Sequence, residues 1–322
     1  MATEHLYDLP ADAVWFITGS SSGIGLALAQ QIAAHPTHRL VATARNSSRL
    51  ADLIKEAKTS DRVQLLDLDV TSDDAIDAAI DAALAKFGRI DVLVNNAGYG
   101  LMGDNESALT PEGKAKARRQ LDTNLWGVTR LSLHAVRVFR DENPKTGQQG
   151  GVVLNVTSLG GFAGFPGTAF YHASKFGVEG FTEGLSKEVR PDWNIHFCII
   201  EPGGTRTNFA SGSMDWFEPH PAYAAADSPT RVLEGYIKDP NMQQTWTPTE
   251  KVAEAMYQVV ALAKTTPLPI RLPLTEGAWQ VIKAEIASVD KELDRVKPLS
   301  ISVEIDDANK AGQFLVDNYS KK

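Results

Sequence analysis

The stretch Val14-Trp15-Phe16-Ile17-Thr18-Gly19-Ser20-Ser21-Ser22-Gly23-Ile24-Gly25 decides the fold. Its first four residues are a short apolar run, which predicts a buried strand. The glycine-rich turn leads into residues 26–32, a helix-forming segment. In isolation, such a turn is equally consistent with a plain tight turn. Between a strand and a helix it favours a dinucleotide pyrophosphate site, because glycine lets the backbone approach and the helix start offers free N–H groups.

The same alternation of apolar strands and helical segments continues along the chain. Strands are predicted at residues 39–44, 63–69, 90–95, 152–156, 195–200 and 268–272, and helices at 73–87, 121–139 and 173–189. Strands that alternate with helices need crossover connections, which build a parallel sheet covered on both faces. We therefore expect an α/β fold, a Rossmann-like doubly wound parallel sheet of about seven strands flanked by helices.

The composition shows no shift that would mark a second domain. We expect residues 1–322 to form a single dinucleotide-binding catalytic domain, with its core at about 12–275 and a helical C-terminal extension at about 276–322. A charged helix is predicted within that extension, near residues 278–296.

Charge and cysteine content exclude several classes of protein. With 43% hydrophobic residues and 22% charged residues, the 322-residue chain is an ordinary globular protein. A net charge of −8 argues against binding to nucleic acid or an anionic membrane. The single cysteine, Cys198, excludes a disulfide framework, and its apolar neighbours predict a buried, inert thiol. The histidines lack metal-ligand spacing, the N-terminus is not a signal peptide, and no apolar run is long enough to span a membrane, so we expect a cytoplasmic protein without a metal.

The end of the second predicted strand indicates which dinucleotide is bound. An acidic residue there would accept a hydrogen bond from the ribose of NAD, whereas an arginine favours the 2′-phosphate of NADP. This strand ends in Thr43-Ala44-Arg45-Asn46-Ser47-Ser48, with no acid before Asp52. Arg45 is therefore a candidate phosphate ligand, and the alternative is a solvated surface arginine.

Ser158, Tyr171 and Lys175 form the next candidate group. Tyr171 and Lys175 are four residues apart on a predicted helix, so both side chains project from one face. A free tyrosine, with a pKa near 10, is a poor acid–base catalyst at neutral pH, and a neighbouring ammonium lowers that pKa. Ser158 follows the strand at 152–156, on the edge of the sheet where α/β proteins bind ligands.

Five motifs occur in the order found in one family. They are residues 18–25, Asn95-Asn96-Ala97-Gly98, Ser158, Tyr171-His172-Ala173-Ser174-Lys175 and Glu201-Pro202-Gly203. In this respect the chain resembles the short-chain dehydrogenase/reductase family over residues 12–275. The G-x-x-x-G-x-G spacing is similar to that of the family's compact, single-domain branch.

The resemblance implies roles for individual residues. Tyr171 would be the acid–base residue, Lys175 would lower its pKa and hold the nicotinamide ribose, Ser158 would position the substrate oxygen, and Asn124 would anchor a water for proton relay. Asp69 would contact the adenine, and Asn95 would line the adenine-ribose side together with Ala97 and Gly98. The expected cofactor contacts are Gly19, Ser21, Ser22, Gly23, Ile24, Gly25, Arg45, Asn46, Asp69, Val70, Asn96, Ala97, Gly98, Tyr171, Lys175, Pro202, Gly203, Thr205 and Thr207.

The sequence thus predicts an NADPH-dependent oxidoreductase that interconverts a ketone or aldehyde carbonyl and an alcohol. Residues 205–247 are predicted to form a lid over a fairly apolar substrate. Its wall would include Tyr99, Leu101, Phe162, Phe165, Phe209, Met214, Trp216 and Phe217, unless these residues are ordinary core. The alternatives are an NAD-linked alcohol dehydrogenase or a non-catalytic nucleotide-binding sensor or scaffold. The resemblance also suggests a homodimer or homotetramer formed through the helices at 121–139 and 173–189, and His172 is expected to be structural or solvated.

Overall fold

The computed structural model describes residues 6–56, 60–207, 212–303 and 309–319. Within them the strands are β1 (Val14–Ile17), β2 (Arg39–Ala44), β3 (Val63–Asp67), β4 (Val92–Asn95), β5 (Gly100–Met102), β6 (Gly151–Val156), β7 (Ile195–Pro202), β8 (Thr205–Arg206), β9 (Met214–Trp216), β10 (Thr247–Pro248) and β11 (Arg271–Leu274). The α-helices are α1 (Gly23–Ala34), α2 (Ala51–Glu56), α3 (Asp73–Phe87), α4 (Pro111–Leu121), α5 (Gly127–Arg137), α6 (Ala169–Glu188), α7 (Pro229–Lys238), α8 (Pro240–Gln244), α9 (Thr249–Ala261), α10 (Glu276–Ile301) and α11 (Asn309–Tyr319).

The main sheet has seven parallel strands in the order β11-β7-β6-β4-β1-β2-β3. One apolar core lies between the sheet and helices α1 and α9 on one face, and a second lies between the sheet and helices α3 and α5 on the other face. The predicted doubly wound sheet is thereby confirmed. Since the carboxyl ends of β1, β4, β6 and β7 are adjacent in this order, the segments that follow them meet at one edge.

Several predicted boundaries were wrong. The last strand lies at Arg271–Leu274 rather than 268–272, and it contains Pro273, which an edge strand tolerates because one side needs no ladder hydrogen bond. Helix α6 begins at Ala169, four residues before the predicted start. Because Thr110 caps α4 and Pro111 follows at the first helical position, the chain is helical ten residues before the predicted start at 121.

Two π-helical turns interrupt the helical region that follows. They occupy Asp122–Trp126, between α4 and α5, and Val138–Glu142, directly after α5. Such turns insert an extra residue into a helix and are frequent at functional sites. The first of them contains Asn124.

The predicted lid is more regular than a loop. Strands β8 and β10, at the two ends of the segment, pair with each other, and β9 pairs with β5 outside the segment. The Ser107 hydroxyl donates to the carbonyl of Glu218 at 2.7 Å, and buried Asp104 accepts from Arg231 on α7 at 2.7 Å. Phe209 lies outside the described residues.

The C-terminal extension is helical, as expected. Helix α10 runs from Glu276 to Ile301, which is longer than the predicted 278–296. Trp279, Ile286 and Leu293 on this helix are exposed. In the described part of the chain, no helix combines the length and apolar character needed to cross a membrane.

Candidate active site

The glycines of the first turn are required by close packing. Gly19 has a φ of +67°, and a Cβ on it would lie 2.9 Å from the Cα of Ala97. A Cβ on Gly25 would lie 2.3 Å from Asn96 Nδ2. The Asn96 amide donates to the carbonyls of Thr18 and Gly19 at 3.0 and 3.2 Å. Asn96 was predicted to contact the cofactor, and the structure shows that it secures the turn.

The start of α1 fits a phosphate group. Its N-cap residue, Ser22, makes no side-chain capping hydrogen bond, and the first turn carries no acid. In contrast, Ser72 and Thr110 cap α3 and α4 with side-chain oxygens. The amide groups at the start of α1 therefore lack the usual internal acceptor, which suits a bound pyrophosphate. Thr207 lies over this turn, since a Cβ on Gly23 would be 3.2 Å from its methyl group.

Arg45 is exposed and directly follows β2, at the carboxyl edge of the sheet. The next residue, Asn46, uses its side chain to accept from the amide of Ser48 at 3.0 Å. On the neighbouring strand β3, Asp67 accepts from the amide of Ser47 at 2.7 Å, and this bond lowers the pKa of that carboxyl. The acid nearest to this strand end is thus already bonded to main chain, while Arg45 faces solvent.

The predicted adenine contacts lie after β3. Asp69 is exposed, and its side chain accepts from the amide and hydroxyl of Thr71 at 2.9 and 2.7 Å. Val70 is buried against Gly127, where a Cβ would lie 2.8 Å from the Val70 carbonyl oxygen. Both residues therefore have structural partners, and their contact with adenine stays a prediction.

Ser158 and Tyr171 are joined by a side-chain hydrogen bond. Ser158 follows β6 and also accepts from the amide of Gly160 at 3.1 Å. Tyr171 lies in the first turn of α6 and is partly buried. Burial raises the pKa of its phenol to about 12, and the bond with Ser158 opposes that rise. The lowering of this pKa that we expected from Lys175 is not among the causes of the shift, and the phenol is protonated at neutral pH.

Lys175 is buried one turn further along the same face of α6. Its ammonium donates to the carbonyl of Val156 at 2.9 Å and lies 5.8 Å from the centre of the Tyr171 ring. Burial lowers the pKa of this amine to about 8, although Glu179 on the next turn favours the charged form. A proton on Lys175 is therefore held less tightly than on a solvated lysine.

Asn124 is fully buried in the π-helical turn between α4 and α5. Its side chain accepts from the amide of Tyr99 at 3.1 Å and donates to the carbonyl of the same residue at 2.8 Å. It also donates to the Ser174 hydroxyl at 3.3 Å. The structure thus brings Asn124, Ser158, Tyr171 and Lys175 to one edge of the sheet.

Two buried carboxyl groups lie next to this site, and the sequence analysis assigned a role to neither of them, although Glu201 belongs to one of the five motifs. Glu179 accepts from the Thr157 hydroxyl at 2.7 Å and from Arg271 at 2.9 Å. Glu201, at the end of β7, is fully buried, and neither oxygen has a hydrogen-bond partner among the described residues. Burial and the nearby Glu179 raise the pKa of Glu201 to about 7, which Arg271 opposes. The signal for Glu201 was an acidic residue inside an otherwise apolar strand.

The two candidate threonines in the segment after β7 have different surroundings. Thr205 is buried and donates to the carbonyl of Gly203 at 3.0 Å, whereas Thr207 lies against the glycine turn. Gly203 itself packs on the start of α10, where a Cβ would lie 2.3 Å from the Thr275 hydroxyl. Of the two, Thr207 is the one beside the predicted phosphate site.

The expectation that Asn95 lines the adenine-ribose side was wrong. Its amide points into the sheet–helix interface and donates to Ser132 at 3.0 Å and to Asn155 at 2.8 Å. Asn155 occupies the paired position on β6 and donates to Thr182 at 2.8 Å. This buried polar network joins the sheet to α5 and α6, although Asn95 Oδ1 has no hydrogen-bond partner among the described residues.

Part of the predicted apolar wall is core. Leu101 and Phe217 are buried together with Ala117, and Phe170 packs edge-on against Phe217 with ring centres 5.8 Å apart. The rest of the described wall is only partly buried, and it comprises Tyr99, Phe162, Phe165, Met214 and Trp216. These side chains remain candidates for substrate contact.

Comparison with known proteins agrees with this architecture. A family model described as "short chain dehydrogenase" matches residues 13–217. The oxidoreductase calM of Penicillium decumbens is 42% identical over 91% of this chain and 94% of its own length. A short-chain dehydrogenase from Streptomyces avermitilis is 32% identical, with a TM-score of 0.77 over 91% of this chain and 98% of its own.

A third protein was solved with a cofactor. The 3-ketoacyl-(acyl-carrier-protein) reductase from Brucella melitensis, complexed with NADH, is 25% identical, with a TM-score of 0.64 over 83% of this chain and 98% of its own. The fold and the side chains at the carboxyl edge of the sheet define an oxidoreductase. The chain belongs to the short-chain dehydrogenase family, and it is an oxidoreductase acting on carbonyl or alcohol groups.

Proposed function

We propose that this protein uses NADPH to interconvert a ketone or aldehyde carbonyl and an alcohol on a fairly apolar substrate. The observation that carries the proposal is the convergence of Ser158, Tyr171 and Lys175 beside the glycine turn. When bound, the nicotinamide cofactor supplies or accepts the hydride. The remaining chemistry belongs to the protein's own side chains.

In the reduction direction, Tyr171 donates its phenolic proton to the substrate oxygen. The raised pKa keeps this phenol protonated at neutral pH, which is the form that can donate. The Ser158 hydroxyl donates a hydrogen bond to the same oxygen as negative charge develops on it. The Lys175 ammonium, close to the ring, stabilises the phenolate left behind, and Asn124 holds the main chain of Tyr99 beside them.

The choice of NADPH rests on Arg45. A guanidinium can bind a phosphate through two parallel hydrogen bonds, and Arg45 is exposed at the strand end where the 2′ position of the ribose is expected. An NAD-linked alcohol dehydrogenase is the second candidate, because the similar Brucella reductase was solved with NADH. The uncapped start of α1 suits the pyrophosphate of either cofactor.

Self-association through α5 and α6 forms part of the proposal. Leu133 on α5, Phe176 on α6 and Trp126 in the preceding π-helical turn have 52%, 45% and 53% of their surface exposed, so these elements carry apolar side chains that an interface would cover. Light scattering on the purified protein would distinguish a monomer from a dimer or tetramer.

The test is cofactor oxidation by the purified protein with a panel of apolar ketones, aldehydes and quinones, using NADPH and NADH in parallel. We expect turnover with NADPH for at least one of these three classes of carbonyl compound. Tyr171→Phe keeps the ring but removes the proton donor, so kcat should fall by about 10²–10⁴ while NADPH binding is retained. A variant that kept more than half of the wild-type kcat would refute this role for Tyr171.

A further inference from the structure

The loop of residues 158–168, here the Ser158 loop, links β6 to α6. It opens with a 3₁₀ turn, in which the amide of Gly161 donates to the carbonyl of Ser158 at 2.8 Å. It ends at Thr168, whose hydroxyl donates to the carbonyl of Phe165 at 3.1 Å. Ser158 lies at the first position of this loop, so the path of the loop decides where its hydroxyl points.

His172 bonds to this loop at two places. One ring nitrogen, Nδ1, lies 2.7 Å from the carbonyl oxygen of Gly160. The other, Nε2, accepts from the amide of Phe165 at 2.8 Å and lies 2.8 Å from the Thr168 hydroxyl. Because a main-chain amide can only donate, Nε2 carries no proton. The ring proton is then on Nδ1 and is donated to Gly160.

Gly160 is held from both sides. Its amide donates to the Ser158 hydroxyl oxygen at 3.1 Å, and its carbonyl accepts from His172. A Cβ on Gly160 would lie 3.0 Å from the His172 ring and 3.4 Å from the Tyr171 ring. The backbone of Gly160 therefore hydrogen-bonds to Ser158 and His172, and the Tyr171 ring faces the space that a side chain at this position would occupy.

We propose that His172 is a positioning residue of the active site, which fixes the Ser158 hydroxyl against the Tyr171 phenol by holding the Gly160 carbonyl. The inference rests on the proposed function, since it assigns the way that one catalytic side chain is oriented. His172 is 8% exposed, so the bond to Gly160 is shielded from water. Its neighbours are the Phe165 ring, with ring centres 5.6 Å apart, and the titratable Tyr171 ring, at 6.0 Å.

This arrangement has a consequence at low pH. Burial lowers the pKa of His172, although its bond to Gly160 opposes the change. If Nε2 takes up a proton, it can donate that proton to the Thr168 hydroxyl oxygen, and the bond from the Phe165 amide is lost. The bond from Nδ1 to Gly160 is kept in both protonation states, so the Ser158 hydroxyl should stay in place and kcat should change little as the pH drops below the ordinary histidine pKa of about 6.5.

Two substitutions separate the two bonds. In His172→Asn the amide nitrogen lies near the position of Nδ1, so it can donate to Gly160 but cannot reach Phe165. In His172→Gln the amide oxygen lies near Nε2, so it can accept from Phe165 while Gly160 loses its donor. His196→Asn is the matched control, because His196 bonds to Asn194 on the edge of the sheet remote from the site.

We expect His172→Asn to retain most of kcat, whereas His172→Gln and His172→Ala should lose about 10- to 100-fold in kcat. KM for the cofactor should stay within a few-fold in all of them. If His172→Asn and His172→Gln lost kcat equally, in parallel with a fall in melting temperature, His172 would only stabilise the fold. Wild-type kcat in His172→Gln would overturn the proposal.

Hydrogen exchange of residues 158–168, measured without substrate, tests the inference independently of turnover. His172→Gln should expose the amides of the 3₁₀ turn, and His172→Asn should keep them protected. Unchanged exchange in His172→Gln would contradict the positioning role even in an active enzyme. Absence of carbonyl turnover in the wild type, with the expected exchange pattern, would instead reject the proposed function.

Discussion

Asn124 and Lys175 both face the space that a side chain on Gly98 would occupy. The position that a Cβ on Gly98 would take is 3.1 Å from Asn124 Oδ1 and 3.6 Å from Lys175 Nζ. A carbonyl oxygen and an ammonium therefore face a shared space that only a residue without a side chain leaves open. The same Asn124 oxygen accepts from the amide of Tyr99, so it cannot move away without breaking that bond.

Gly98→Ala should disturb the site through this contact. The new methyl group would fill the space between the two polar atoms and push Asn124 from its place. Misplacement of catalytic groups by about 1 Å costs on the order of 10²-fold in rate, and this contact requires a smaller shift, so we expect a loss of about tenfold in kcat. Gly235→Ala is the control, because a Cβ on this glycine of α7 would contact nothing within 4 Å. Equal kcat values for the two variants would show that the space is not used.

Arg45→Asp tests the cofactor preference. The new carboxylate would repel a 2′-phosphate and could accept a hydrogen bond from the ribose hydroxyl of NADH. Loss of one charge-assisted hydrogen bond, about 1.5–3 kcal/mol, should lower the ratio of kcat/KM for NADPH over NADH by at least tenfold. Arg295→Asp on α10 makes the same change in net charge at an exposed position, with a side chain 72% exposed, and should leave the ratio unchanged. A wild-type enzyme that prefers NADH would exclude Arg45 as a phosphate ligand.

Glu201→Gln should change how stability depends on pH. The pKa of Glu201 is raised to about 7 in the folded protein and returns to about 4.5 on unfolding. Between these values the folded state binds the extra proton, so the free energy of unfolding falls as the pH rises, by about 1.4 kcal/mol per pH unit. The glutamine variant has no titrating group at this position, so its free energy of unfolding lacks this fall. Relative to wild type, the variant should therefore gain stability from pH 5 to pH 7.

The control for this measurement is Glu183→Gln. Hydrogen bonds from Lys187 and Arg271 lower the pKa of Glu183 to about 2, so its titration contributes only below about pH 4.5. The difference between this variant and wild type should be constant from pH 5 to pH 8. Urea denaturation across that range would reveal both patterns, and a constant offset for Glu201→Gln would mean that Glu201 is ionised throughout.

Much of the fold followed from local patterns. The predicted helix at 73–87 and the strand at 39–44 have the bounds that the structure gives, because apolar periodicity and flanking turn residues are properties of neighbouring positions. The prediction that Tyr171 and Lys175 lie close together followed from the i,i+4 geometry of one helix. The prediction of Ser158 as a site residue followed from its place just after a parallel strand.

Features that depend on distant neighbours were not predictable in the same way. The π-helical turn at Asn124 shifts the hydrogen-bond register by one residue, and no local pattern in the sequence marks it. Asn95 and Asn96 are adjacent and chemically identical, yet only their three-dimensional partners separate a buried network from support of the glycine turn. The proximity of Glu179 and Glu201 likewise arises between a helix and a strand.

Trp216→Ala tests the predicted substrate wall. Trp216 lies in β9, where its carbonyl accepts from Lys116 at 2.7 Å and its ring lies 4.0 Å from the ammonium of Lys238. The substitution removes the ring while the main-chain pairing with Met102 remains. If the partly buried ring contacts substrate, a bulky ketone loses apolar contact that a small ketone never made. KM should then rise about tenfold for the bulky ketone and little for the small one.

Phe217→Ala is the matched control, since the Phe217 ring is buried among Leu101 and Ala117. Its loss should lower the melting temperature and change KM equally for the two ketones. The same KM ratio for both ketones in Trp216→Ala would assign Trp216 to the fold alone.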